Sequence, residues 1–177
     1  MEVKNSGLSG NRLQVKEMVQ IALLTALTYI AVSFINIPYG NGGVIHLGDS
    51  MIFLSAVLFG RKHSAISGAV GMAMFDLFSP YTVWAPYTFV IKGVMGLIAG
   101  SIAFSGESKG TSWLKNGLGM VLAGLWMVAG YYAAEVMIYG NALAPMASLP
   151  GNLIQFGGGA VIAYVLAVAL KNTKYFN

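Results

Sequence analysis

The chain has 177 residues, 56% of them hydrophobic and only 9% charged, where a typical soluble domain is about 25% charged. Ten Lys and Arg, six Asp and Glu and a mean hydropathy of +0.70 are too few charges to cover a soluble globule and too apolar for a disordered chain. The absence of cysteine removes disulfide scaffolds and thiolate metal sites. The composition therefore predicts an all-α integral membrane protein. Its net charge of +4 is read by position, not as affinity for nucleic acid.

A membrane helix needs about 20 mostly apolar residues, and six candidate spans follow in chain order. Residues 1–12 read as a cytoplasmic tail. The first span runs from about Leu13 to Ile37, too long for a cleavable signal core and with no small-residue cleavage site after it. It carries the pair Ala22 and Ala26, whose small side chains let another helix approach closely. Residues 36–43 have the Gly and Asn content of a mobile lid, or of an ordinary connector. The second span, about Gly48 to Gly60, is short. Asp49 at its start suits an N-cap, and His46 shares its face if the helix starts early.

Only Arg61 and Lys62 separate this span from the third, about His63 to Ser79. Asp76 lies about 20 Å along it. The fourth span, about Tyr87 to Phe104, holds Lys92 about 8 Å below its outer end, and below that Gly96 and Gly100, a second close-packing pair. The fifth, about Trp113 to Tyr139, carries Glu135 one turn from its end. The sixth, about Leu149 to Leu170, opens with Asn152 and Gln155. Residues 13–171 thus form one compact six-helix membrane domain, and 172–177 a cytoplasmic C-terminal tail.

Nine of the ten Lys and Arg fall in the two tails, the second-to-third loop and the fourth-to-fifth loop, which places both termini in the cytoplasm. Pro38, Pro80, Pro86, Pro145 and Pro150 all fall in or beside the other three loops. Lys92 is the tenth cation. With Asp49, Asp76, Glu135, His46, Asn152 and Gln155 it forms a polar layer in the outer third, above an apolar inner half. Intramembrane ionisable groups mark function or pair with one another, and Asp76 or Glu135 are the expected partners of Lys92. The distribution fits a cavity open to the outside and not a continuous pore. Tyr39, Tyr81, Trp84, Tyr87, Tyr131, Tyr132 and Tyr139 lie near the same depth, as an interfacial belt or as walls for a planar heteroaromatic ligand.

No Walker A, HExxH or GxSxG pattern is present, no metal site is expected at His46, and no internal repeat of the secondary-transporter kind is evident. A capture subunit that borrows its energy is the leading reading, and the chain is not expected to be an enzyme. A stand-alone carrier or small channel is the alternative, followed by an intramembrane enzyme using Asp76, Glu135 and Asp49.

The stretch Val44 to Gly100 contains HLGD, an apolar run ending LFG, SGAVG with the later Asp76, Ala85-Pro86, and Val90-Ile91-Lys92-Gly93. It resembles the substrate-binding S components of energy-coupling-factor (ECF) vitamin transporters of the riboflavin type. The resemblance implies a protein of the bacterial cytoplasmic membrane that binds a vitamin or precursor from outside. It also implies docking on a shared membrane subunit coupled to two ATPases, and toppling of the whole S component to release substrate. No cofactor is implied for the chain itself, ATP being used by the partner subunits. The family's docking motif falls on Ala22 and Ala26. Its site regions contain Tyr39, Asn41, Lys92, Glu135, Asn152 and Gln155. Asp76 would add polarity there, and Trp84, Tyr87 and Tyr39 would cover the ring. Hydroxymethylpyrimidine or a pyridoxine-like ligand is favoured, with riboflavin possible.

Overall fold

The computed structural model describes residues 6–39 and 43–173, with side chains from Gln14 onwards. Six helices carry the chain: α1 (Ser6–Phe34), α2 (Gly48–Phe59), α3 (Arg61–Leu77), α4 (Ala85–Ala103), α5 (Trp113–Tyr139) and α6 (Leu149–Lys171). Two short strands, β1 (Asn36–Tyr39) and β2 (Gly43–His46), join α1 to α2. Single 3-10 turns at Thr82–Trp84 and Ala144–Ala147 lead into α4 and α6.

Four segments are long and apolar enough to cross a membrane: Gln14–Phe34, Thr82–Ala103, Trp113–Tyr139 and Leu149–Lys171. The other two helices are shorter, as expected of the second span. α2 has 12 residues and α3 has 17, rising about 18 and 26 Å against a hydrocarbon core of about 30 Å. Gly60 is the reason α2 stops. Its φ of 80° lies in the left-handed region, and its N–H closes the helix on the Ala56 carbonyl. α3 starts at the next residue.

Helix ends follow local chemistry. α1 begins at Ser6, ahead of the expected Leu13, since adding residues to a formed helix costs little. It ends before Ile37 because the Asn36 side-chain amide donates to the Val32 and Ser33 carbonyls. Pro86 and Pro150 sit in the first turns of α4 and α6. Ser112 caps α5, whose far end is closed by Gly140 at φ 64°.

α3 and α4 make the tightest pairing. A Cβ on Gly96 would lie 2.5 Å from the Ser64 backbone, and one on Gly100 would lie 2.4 Å from Arg61 Cα. This is the packing role expected of that pair. Behind it, Ile52, Phe53, Val57, Met72, Met95 and Met127 fill the core, with Ala99, Ala123, Ala163 and Ala167 at close crossings. The inner half is not wholly apolar as expected. Ser55, Ser64, Ser67 and Asn116 are buried there, though none is charged. Leu23, Leu27, Val121, Leu125, Val161 and Val165 point outward from the long helices, an apolar exterior suited to lipid.

The segment expected as a lid or connector is an antiparallel hairpin, pairing Asn36 with His46 and Tyr39 with Gly43. The hairpin and both 3-10 turns gather at one end of the bundle. The cation-bearing loops lie at the other, where Lys62 pairs with Glu17 at 2.9 Å.

Candidate ligand pocket

At the hairpin end lies a pocket of about 560 Å³, counted out to its open mouth. Every connection at this end contributes to its wall. The hairpin supplies Tyr39, Val44, Ile45 and His46. α3 and the turn after it supply Met72, Asp76, Tyr81 and Trp84. α4 and α5 supply Thr88, Tyr131 and Glu135, and the last turn and α6 supply Ser148, Gly151, Asn152 and Gln155. Tyr39 lies across the start of α6 because position 151 is glycine: a Cβ there would sit 2.3 Å from the ring. Trp84 is buried between Tyr131 and Tyr139, with ring centroids 6.2 and 6.4 Å away.

Beneath the pocket lies a charged floor. Lys92 and Asp49 are fully buried and form an ion pair. Lys92 Nζ also meets Met127 Sδ at 3.0 Å and lies 5.3 Å from the Tyr131 ring centre. Trp126 Nε1 donates to the Ile91 carbonyl at 3.0 Å, fixing α5 against α4 beside Lys92. Gln155 connects floor to wall. Its Nε2 donates to Asp49 Oδ2 at 3.0 Å and its Oε1 accepts from the His46 backbone N–H at 3.2 Å. His46 Nδ1 accepts from the Gly48 N–H at 3.3 Å, which requires an unprotonated nitrogen. Burial, helped by the Lys92 charge, pushes the imidazole down to about 4.

Two carboxylates face the pocket itself. Glu135 Oε2 accepts from Ser148 Oγ at 2.9 Å. Asp76 lines the wall with Thr88, whose Oγ1 accepts from Tyr131 OH at 3.1 Å.

Nine residues singled out in the sequence line the pocket: Tyr39, His46, Asp76, Tyr81, Trp84, Tyr131, Glu135, Asn152 and Gln155. Asp49 and Lys92 stand behind it. The expected partner of Lys92 was Asp76 or Glu135, and the structure gives it Asp49 instead. That pairing also overturns the N-cap reading of Asp49. α2 is flanked by Leu47 with no side-chain cap, because a cap is worth about 1 kcal/mol whereas an unpaired buried ammonium costs several. His46 meets this network from a strand, not from a shared helical face. Tyr87 is half-buried against the core and does not line the pocket. Asn41 lies outside the described residues. Thr88, Ser148, Met72 and Gly151 were not singled out, having neither charge nor aromatic bulk to distinguish them in an apolar sequence.

Ala22 and Ala26 are exposed and lie in a second, mainly apolar groove between α1 and α3, lined by Ile21, Ile30, Ile66 and Val70 and closed by Glu17 and Lys62. Among the described residues no group of three or more His, Asp and Glu is placed to hold a metal ion.

The profile of a protein family, the S component of ECF-type riboflavin transporters, matches residues 12–172. The thiamine precursor transporter HmpT of Lactococcus lactis subsp. cremoris (strain MG1363) is 28% identical over 165 residues, 92% of each chain. An uncharacterized protein of Pyrococcus woesei, from a gap 3' region, is 36% identical over 144 residues, 80% of this chain and 93% of that one. The solved S component of a bacterial ECF transporter aligns with a TM-score of 0.72 at 19% identity, over 90% of this chain and 97% of that one, so the fold is shared.

Proposed function

Because this chain belongs to the family of ECF-type riboflavin transporter S components, we propose that it captures a small heteroaromatic vitamin or precursor at the outer face and delivers it to a coupling module of one membrane subunit and two ATPases. The chain is an integral membrane protein of a transporter family, and the ATP is spent by its partners. In this reading residues 13–171 form six membrane-embedded helices, with both tails cytoplasmic. The shortness of α2 does not oppose this, since nine of its residues are buried among neighbouring helices.

The observation that carries the proposal is the pocket. It is partly polar, walled by aromatics, open at one end of an apolar bundle, and opposite the cationic loops. Tyr39, His46, Asp76, Trp84, Glu135, Asn152 and Gln155 are proposed to touch ligand. Asp49 and Lys92 hold Gln155 in place. Hydroxymethylpyrimidine is the favoured ligand. The Lactococcus relative is a thiamine precursor transporter, which favours this ligand over riboflavin. A pyridoxine-like molecule is next.

Equilibrium binding to the purified chain in detergent, across hydroxymethylpyrimidine, pyridoxine, riboflavin and thiamine, tests this reading. Submicromolar affinity for one of them is expected. Binding of none would overturn it.

A further inference from the structure

One acceptor in the pocket wall is unused. Asp76 lines the pocket, is only 6% exposed, and its Oδ2 has no hydrogen-bond partner among the described residues. Thr88, which also lines the pocket, accepts from Tyr131 at 3.1 Å. Buried polar atoms are nearly always paired, and an unmet acceptor in such a place is stabilised by whatever donor fills the pocket.

The surrounding charges narrow the choice of donor. Among the described residues no Lys or Arg lines the pocket, while two carboxylates do. The nearby ammonium of Lys92 is taken by Asp49. Glu135 is held by Ser148. An anionic ligand would therefore meet two like charges and no free cation, whereas a neutral ring with N–H donors meets acceptors.

We infer that Asp76 Oδ2 accepts a hydrogen bond from an exocyclic ring amine of the ligand, so that the pocket selects an aminopyrimidine over its oxo analogue and rejects its phosphate ester. This rests on the capture reading above and names the ligand edge that capture recognises. A charge-assisted bond of this kind discriminates between donor and acceptor by about ten- to hundredfold.

The test is calorimetric titration of the full chain in detergent with three probes: 4-amino-5-hydroxymethyl-2-methylpyrimidine, its 4-oxo analogue and its phosphate ester. The amine is expected to bind at least about tenfold tighter than either of the others. Asp76→Asn is expected to weaken the amine about ten- to hundredfold and the oxo analogue by less than about threefold. Equal affinity of the unaltered chain for amine and oxo forms overturns the inference, as does an equal loss of both in a monodisperse variant. The comparison on the unaltered chain needs no substitution, so a variant that fails to fold leaves the test intact. Tight binding of pyridoxine or riboflavin with neither pyrimidine bound overturns this inference alone. Binding of no vitamin at all overturns the capture reading with it.

Discussion

Lys92 and Asp49 illustrate why buried charges come in pairs. Each is fully buried, and neither has water to solvate it. Removing one leaves the other uncompensated, at a cost of about 3–5 kcal/mol, whereas replacing both by apolar groups of similar volume is often neutral. Lys92→Met is therefore expected to lower thermal stability sharply, and adding Asp49→Leu to restore most of it. A double variant no more stable than the single would show that the pair is not the source. His46 gives a pH signature of the opposite kind. Its imidazole titrates near 4 in the folded chain against 6.5 unfolded. Below 6.5 the unfolded chain binds the extra proton, so His46 makes stability fall as pH drops from 6.5 toward 4. Melting curves over that range should be flatter for His46→Gln than for the parent chain. The sequence showed that these charges share one depth, because depth follows from position along a helix. It did not show who pairs with whom, because pairing depends on helix rotation, which an all-round apolar sequence leaves open.

At the scale of the helices, small residues decide what touches what. α3 and α4 approach until no side chain fits between Gly96 or Gly100 and the facing backbone. Gly96→Leu should force them apart and destabilise by at least about 1–3 kcal/mol. On α6, nothing lies within 4 Å of a Cβ placed on Gly158. There Gly158→Ala should stabilise by about 0.5–1 kcal/mol through helix propensity alone. Thermal unfolding of the two variants measures the contrast, and similar shifts would contradict the packing account. The existence of all six helices was legible from apolar runs, prolines and cations. The brevity of α2 was legible too, but its cause and the hairpin were harder to see. Gly60 marked a boundary but not a left-handed turn, and the pairing of residues 36–39 with 43–46 is set by strand contacts that a loop-like composition conceals.

For the molecule as a whole, the proposed function puts capture and delivery on different surfaces. The pocket opens at the hairpin end, while Ala22 and Ala26 lie in the α1–α3 groove. Filling that groove should break delivery without touching capture. Ala22→Trp and Ala26→Trp are expected to abolish uptake in cells carrying the coupling module and to leave ligand affinity unchanged within about twofold. Loss of both together would assign the groove to folding instead.

α2 has a consequence in time as well as in space. Nine of its 12 residues are buried, so its amides reach solvent only when the whole bundle opens. β1 is exposed along its length and its backbone pairs with β2 in a two-stranded sheet, so its amides exchange through small local openings. Hydrogen–deuterium exchange should find β1 labelled within seconds to minutes and α2 protected for hours or longer. Ligand should slow the hairpin and leave α2 unchanged. The entrance to the pocket and its charged floor would then run on separate clocks, so the site can admit and release a molecule many times within one lifetime of the fold.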